Sequence, residues 1–314
     1  MSVSRRLRER MKLAGWVLSM GVMFAVSFSP DRFIRDGALV DDEASYFSHA
    51  MTIGLDLDLD YSNEIATVFN CDKTIASHPI GAGLLAAPFV AFFGVVDRLT
   101  GHPVIEDRSR YANSWAFFGF VFSANFYLFL GILLYFDAMA TIFRRLRLSH
   151  ITVFVFSTGI VHYALYAFFM SHAFEFGALA FTVWSSTKLY FALKKNRGAL
   201  AWHLVAALSV VLNILVRYNN LNVLILPLTL VTLACVFDSE GRKPGPRELA
   251  GLVPRQALFL ALASVPAIIF FCPAYHQIFP TRDVLYCYEA AESGTNGFFD
   301  KVAAVFGLLP NLPV

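Results

Sequence analysis

Residues 114–147, SWAFFGFVFSANFYLFLGILLYFDAMATIFRRLR, decide the fold class of this chain. Residues 114–136 carry no charge and, at about 1.5 Å per residue in a helix, are long enough to cross a bilayer core of about 30 Å. The stretch ends in the basic break Arg144-Arg145-Leu-Arg147. An uncharged run of this length followed by arginines is typical of a transmembrane helix whose basic end faces the cytoplasm.

The composition of the whole chain agrees with that interpretation. Of its 314 residues 57% are hydrophobic and only 15% are charged, which excludes an ordinary soluble domain. We therefore expect an all-α polytopic membrane protein in which residues 1–314 form one transmembrane domain of about seven spanning helices. The other apolar runs that predict spanning helices lie at about 13–28, 151–170, 174–191, 200–216, 221–237 and 257–272.

The segment 80–96 is apolar but contains Pro88, and the charge pattern decides whether it spans. If it does not span, the basic breaks fall on the same side as the basic N-terminus, as the positive-inside rule requires. We therefore expect a non-spanning juxtamembrane or re-entrant helix at 80–96, kinked or broken at Pro88, inside a large extracytoplasmic loop over 31–112. The N-terminus would be cytoplasmic. Residues 309–314 would lie in an outer loop without a following helix, so we expect a fragment that lacks C-terminal helices.

Three carboxylates, Asp41, Asp42 and Glu43, follow the first apolar run by about a dozen residues. Acidic residues favour the first turn of a helix, so they could simply cap one. A carboxylate held above a membrane bundle could instead act as a general base that takes a proton from an acceptor hydroxyl. The two interpretations are compatible, because one residue can cap while another reacts.

Other ionisable side chains are predicted at the same outer end of the bundle. His172 and Glu175 are three residues apart and so share one helix face, and His78 lies on the same side of the membrane. Arg217 is the only positive charge in the short outer breaks, and with Asn219 it offers donors suited to a phosphate. The plain alternatives are interfacial histidines and an arginine that snorkels to the interface.

The pattern Asp42-Glu43-Ala-Ser-Tyr46 after the first membrane helix resembles the entry to the first outer loop of GT-C glycosyltransferases. That superfamily includes the protein O-mannosyltransferases and the lipid A aminoarabinose transferase. The similarity extends over roughly residues 10–230 and includes the His78-Pro79 segment before a short helix, with His78 where lysine is commoner, and Arg110 before the next span. One departure is the Ser171-His172 pair, where several relatives carry an aspartate.

The resemblance implies an inverting glycosyltransferase that uses a polyprenyl-phosphate sugar and a lipid, glycan or protein acceptor. It implies Asp42 as the base, with Asp41 and Glu43 as alternates, and a GT-C-like bundle. No Asn-x-Ser/Thr sequon occurs, which favours a bacterial protein in the plasma (inner) membrane. No cofactor is firmly implied, and a divalent metal remains open. The residues expected to bind substrate or phosphate are Arg217, His78, His172, Tyr46, Glu175 and Asn219. The alternatives are a transporter or lipid flippase and a non-catalytic membrane subunit.

Overall fold

The structure, a computed structural model, describes the chain in several stretches and some single positions. They are residues 41–58, 61, 64, 78–101, 114–143, 145–165, 170–195, 198–237 and 245–278, with single positions between 15 and 25. Within these residues all regular secondary structure is helical, as the sequence predicted.

Nine α-helices are described, and two other helical turns join them. The α-helices are α1 (Asp41–Met51), α2 (Gly81–Thr100), α3 (Trp115–Ile142), α4 (Leu148–Phe156), α5 (Ile160–Leu165), α6 (His172–Lys195), α7 (Ala199–Val216), α8 (Ile225–Val236) and α9 (Pro246–Ile278). A π-helical turn, Thr52–Asp56, continues α1, and a 3₁₀ helix, Tyr218–Leu224, leads into α8.

Among the described residues, three helices are long and apolar enough to cross a membrane: α2, α3 and α7. This agrees with a membrane protein. The larger number in the expected seven-helix bundle stays a prediction, and so does the non-spanning position of α2, because α2 meets the criteria of length and composition. Pro88 neither ends nor divides α2, since the helix continues from Gly81 to Thr100 around it.

The run 151–170, expected as one helix, is divided in the structure. Helix α4 ends at Phe156, and α5 begins at Ile160. Two hydroxyls in the break bind carbonyl groups of the preceding turn: Ser157 Oγ donates to Phe154 and Thr158 Oγ1 to Val155, each at 2.7 Å. Such local hydrogen bonds compete with helical continuation, which accounts for the break.

Helices α2 and α3 form an antiparallel hairpin. The buried Asp97, near the end of α2, accepts hydrogen bonds from the backbone N–H groups of Trp115 and Ala116 at 2.7 and 2.8 Å. These are orphan donors at the start of α3, so Asp97 caps that helix across the hairpin. Nearer the start of α2, Tyr127 donates to the Leu85 carbonyl oxygen at 3.1 Å.

Helix α6 is the centre of the bundle, with α3 on one side and α7 on another. It runs parallel to α3, because two contacts follow the same order along both helices. Gly131 of α3 packs on Gly177 of α6, and six or seven residues later Asp137 of α3 accepts a hydrogen bond from Trp184 of α6. It runs antiparallel to α7, where Asn213 donates to Thr182 at 2.7 Å. The first turn of α6 and the last turn of α7 therefore meet at one end of the bundle.

Helix α1 runs parallel to α2 and packs along its first half. A Cβ at Gly83 would lie 2.3 Å from the His49 Cβ, and one at Gly54, beyond the end of α1, would lie 2.6 Å from the Ala87 carbonyl oxygen. The residue numbers of the contacting pairs rise in both helices, so the first turn of α1 lies at the same end as the first turn of α2.

Candidate functional site

Three of the predicted residues meet where α6 begins and α7 ends. Arg217, which follows α7, donates from Nη1 to Glu175 Oε2 at 3.1 Å. His172 Nδ1 lies 3.3 Å from the same carboxylate oxygen and 3.5 Å from Arg217 Nη1. Glu175 therefore stands between a guanidinium and an imidazole, and the spacing of three residues on α6 produces the His172–Glu175 contact.

This cluster of His172, Glu175 and Arg217, called here the outer cluster, is partly open to its surroundings. The Arg217 side chain is 43% exposed and that of Glu175 21%. Among the described residues the guanidinium makes its polar side-chain contacts through Nη1 alone, so most of its donors point elsewhere. The Tyr163 ring lies 4.0 Å from the His172 ring, centroid to centroid, and closes one side. A guanidinium fork beside an imidazole is suited to binding a phosphate or carboxylate.

Helix α2 begins directly against the last turn of α7, next to the outer cluster. A Cβ placed on Gly81 would lie 2.3 Å from the Val216 nitrogen and 2.4 Å from the Leu215 carbonyl carbon. Only glycine allows this approach, because the opposing atoms are backbone atoms that cannot rotate away. Through this contact, the segment that contains His78 lies close to Val216, the residue that precedes Arg217.

His49 is buried and joins α1 to the segment before α2. Its Nε2 donates to the His78 carbonyl oxygen at 2.9 Å, so Nδ1 is the acceptor of the hydrogen bond that the Tyr61 hydroxyl donates at 2.6 Å. Burial lowers the pKa of His49 to about 4, although the bond to the His78 carbonyl opposes the shift. Burial also raises the pKa of Tyr61. His49 is therefore a neutral clamp whose tautomer both partners determine.

The predicted substrate residues His78 and Tyr46 are both buried against each other. Their exposed fractions are 9% and 4%, and their rings lie 5.5 Å apart, centroid to centroid. In this structure they are therefore buried and do not line an open surface. Asn219 belongs to the 3₁₀ helix Tyr218–Leu224, and its side chain lies outside what the structure describes.

The three predicted acids occupy the first turn of α1, as the sequence suggested. Glu43 is half-buried, and the side chains of Asp41 and Asp42 lie outside what the structure describes. Asp42, Tyr46 and His49 follow the spacing i, i+4, i+7 and so occupy one helix face. On that face, Tyr46 and His49 contact His78 in the segment before α2. Both capping and general-base roles fit this position.

A second carboxyl pair lies beyond the other end of α1. Burial, and next a side-chain hydrogen bond with Asp56, raise the pKa of Glu64 to about 8. Asp56 ends the π-helical turn. Within the described stretches no group of three or more histidine, cysteine, aspartate or glutamate side chains is placed to hold a metal ion.

His49, Tyr61 and Tyr163 were not predicted from the sequence as residues near the site. For His49 a signal existed, because it follows Asp42 by seven residues and Tyr46 by three, and therefore shares their helix face. Tyr61 and Tyr163 come from a loop and a short helix, where periodicity predicts no partner. Arg110, part of the GT-C resemblance, lies outside the described residues.

The geometry thus defines a helical protein with candidate membrane spans and a mixed-charge cluster where several helices end. Comparison with known protein families, with curated proteins and with solved structures found no match to this chain.

Proposed function

We propose that the chain is an integral-membrane glycosyltransferase that moves a sugar from a polyprenyl-phosphate donor to a hydroxyl acceptor. The reaction would take place at the outer face of a bacterial plasma membrane, with the N-terminus in the cytoplasm. The observation that carries the proposal is the outer cluster beside the first turn of α2, with the acids of α1 at the same end. A phosphosugar at a membrane surface needs both a cation and a base within reach.

Arg217 is the residue proposed to hold the donor phosphate. Its partly exposed guanidinium keeps most of its donors available, and Glu175 orients it through Nη1. His172, in contact with Glu175, would add a donor when protonated. As the bond from the sugar C1 to the phosphate oxygen breaks, negative charge grows on the phosphate, and fixed cations there stabilise the transition state.

Asp42 is the residue proposed to activate the acceptor, with Asp41 and Glu43 as alternates. In an inverting transfer the acceptor oxygen bonds to C1 while the phosphate leaves, and the acceptor proton passes to the carboxylate. The clamp between His49 and the His78 carbonyl would hold α1, and with it these acids, against the start of α2.

Transfer of labelled sugar from a polyprenyl-phosphate donor by purified variants tests the proposal. Asp42→Asn should bind donor normally and lose about 10² to 10⁴ in rate, the usual contribution of a general base. Asparagine caps helices about as well as aspartate, so the fold should persist. Asp41→Asn and Glu43→Gln are the matched variants. If all three retain normal transfer, the acids only cap α1 and the proposal fails; movement of labelled lipid across the bilayer without transfer would indicate a flippase.

A further inference from the structure

His172 lies in the outer cluster where its ring nitrogen Nδ1 meets two groups of opposite charge. Nδ1 is 3.3 Å from Glu175 Oε2 and 3.5 Å from Arg217 Nη1. If Nδ1 carries a lone pair it can accept from Arg217, and if it carries a proton it donates to Glu175. One nitrogen cannot do both, so the presence of a proton on Nδ1 decides which neighbour it binds.

Protonation of His172 also decides the net charge of the outer cluster. With a neutral His172 the guanidinium of Arg217 and the carboxylate of Glu175 cancel, and with an imidazolium the cluster carries one positive charge. The side chains of His172 and Glu175 are only 28% and 21% exposed, so water screens an unbalanced charge poorly here. An anion bound to the neutral cluster would leave one negative charge without compensation, whereas an anion that binds with a proton would not.

The ring of Tyr163, on α5, covers one side of His172. Its centroid lies 4.0 Å from that of the imidazole, and the two ring planes are tilted by 45°. Aromatic faces attract cations within about 6 Å of the ring centroid, so Tyr163 accommodates an imidazolium as well as a neutral ring. Together with Glu175 and Arg217, Tyr163 completes the described polar and aromatic neighbours of His172, which come from α5, α6 and the end of α7.

Other titratable side chains on the surrounding elements are engaged elsewhere. Tyr127 of α3 donates to a carbonyl group of α2. His78, before α2, is buried and contacts α1. His162 adjoins Tyr163 on α5 and is exposed, and a described ring contact joins it to Tyr163. Among the described residues, His172 is therefore the group placed to exchange a proton with an anion site in the outer cluster near neutral pH.

Hydrogen-bond donors remain available for an anion beside this nitrogen. Every described side-chain polar contact of His172 uses Nδ1, and those of Arg217 use Nη1. An imidazolium that donates Nδ1–H to Glu175 therefore has Nε2–H left for a ligand, together with the unused N–H groups of the guanidinium. A phosphodiester suits this set of donors, because it has one negative charge and two unesterified oxygen atoms that accept hydrogen bonds.

We propose that the outer cluster binds a phosphodiester anion together with one proton, which His172 takes from solution on binding and returns on release. In the bound state the positive charges of Arg217 and His172 balance the negative charges of Glu175 and the anion. Only an N–H bond forms or breaks. The inference rests on the part of the proposed function that places the donor phosphate at Arg217, since a polyprenyl-phosphate sugar is such a phosphodiester, and it does not depend on the transfer step.

Equilibrium binding from about pH 6.5 to about pH 8.5 tests the proposal. The probe is a fluorescent monomethyl ester of a polyprenyl phosphate, a phosphodiester whose own charge is constant in this range. Its Kd should rise at least about tenfold from the lower to the higher pH, and by no more than about tenfold per pH unit, because one proton is linked to binding. Titration calorimetry in two buffers of different ionisation enthalpy should show proton uptake. A Kd that stays within twofold, or no binding at any pH, overturns the proposal.

His172→Gln identifies the residue that takes up the proton, since glutamine keeps a polar side chain but cannot become charged. At about pH 6.5 this variant should bind the probe about tenfold more weakly than wild type, and its Kd should stay within twofold across the range. His162→Gln is the matched control, because it removes an exposed histidine of the neighbouring helix, and it should retain the full pH dependence. A pH-dependent His172→Gln, or a pH-independent His162→Gln, would mean that another group carries the proton.

Glu175→Gln is the second variant. Without the carboxylate the cluster carries one positive charge before any proton is added, so the Kd should change less than threefold over the pH range, whatever its absolute value. Unchanged proton uptake, in a variant that thermal unfolding in detergent shows to be folded, contradicts the charge balance. The two proposals fail separately: proton-linked binding without sugar transfer overturns the reaction alone, and pH-independent binding with sugar transfer overturns this inference alone.

Discussion

Arg217 offers the outer cluster a planar fork of donors, which a lysine cannot imitate. If two of its N–H groups hold the donor phosphate, Arg217→Lys keeps the charge and loses one of the two hydrogen bonds. We expect the affinity for a polyprenyl phosphate to fall about tenfold, equivalent to roughly 1.4 kcal/mol. Equilibrium binding of a labelled polyprenyl phosphate to the purified protein measures the change.

The control for that measurement is Arg255→Lys. Arg255 is an exposed arginine with a described side-chain contact through Nη1, to Cys235 Sγ at 3.1 Å, but it joins α8 and α9. Its replacement should leave the affinity unchanged. If Arg217→Ala binds the lipid as tightly as wild type does, Arg217 is an interfacial anchor and has no part in binding the phosphate.

His49 predicts a loss of stability in acid. Its folded pKa of about 4 lies below the ordinary value of 6.5, so the unfolded chain binds a proton more readily. The neutral clamp contributes fully above about pH 6.5, and its contribution declines as the pH falls from there through 4. The loss should approach about 3 kcal/mol, since each pKa unit corresponds to about 1.4 kcal/mol. Thermal unfolding at pH 7 and pH 4 measures it.

The comparison for the pH prediction is His49→Gln, which cannot take up the proton. This variant should be less stable than wild type at pH 7 but should lose less further stability by pH 4. Equal losses in the two proteins over this range would mean that other groups determine the acid response.

At the residue level the sequence predicted contacts within one helix better than contacts between helices. The spacing of His172 and Glu175 is enough to predict their contact, and the topology placed Arg217 at the same end. The pairing of His49 with Tyr61 depends on a loop conformation that no periodicity encodes. The same is true of the partners of His78, since its carbonyl, and not its imidazole, is what His49 binds.

Gly81 determines how closely α2 can approach α7. A methyl group there would lie 2.3 Å from the Val216 nitrogen, so Gly81→Ala must push the first turn of α2 away. We expect a loss of about 3 kcal/mol, at the upper end of the usual cost of overpacking. Denaturation in detergent measures this loss. If the proposed function is correct, sugar transfer should fall with it, because His78 and the acids of α1 move with α2.

Gly159→Ala is the control for the change at Gly81. Gly159 lies in the break between α4 and α5 and does not have a positive φ. A Cβ added there would have no neighbouring atom within 4 Å. The substitution there should change stability by less than about 0.5 kcal/mol. Similar effects at the two positions would show that the contact between α2 and α7 is not close in the folded protein.

Element boundaries were predictable where hydrophobicity alone decides them. The run 200–216 corresponds to α7, and 114–136 corresponds to α3, which begins at Trp115 after its cap Ser114 and continues to Ile142. The break between α4 and α5 was not predicted, because Ser157 and Thr158 end the helix through side-chain hydrogen bonds in an otherwise apolar run. Pro88 was expected to kink or break α2, and the helix is not broken there, since it continues to Thr100.

The topology of the whole molecule depends on whether α2 crosses the membrane, which determines the side on which α2 ends. Helix α2 starts against the last turn of α7 and runs toward the start of α3, where Asp97 caps Trp115. It therefore overlaps α7 only at its first turn. This offset supports a helix placed outside the main bundle, as the charge pattern predicts. Its exposed apolar residues Phe92, Val95 and Leu99 equally suit a helix in contact with lipid.

Single cysteines in a cysteine-free variant resolve the topology. Asp58, Leu99 and Phe143 are all exposed and lie before α2, at its end and after α3. If α2 does not span, an impermeant maleimide added to intact cells should label Asp58→Cys and Leu99→Cys but not Phe143→Cys, which reacts only after permeabilisation. If α2 spans, Leu99→Cys becomes protected and Phe143→Cys becomes accessible, so the two positions exchange behaviour. Asp58→Cys reports the first loop in either case, and the exchange would place the basic breaks outside, against the positive-inside rule.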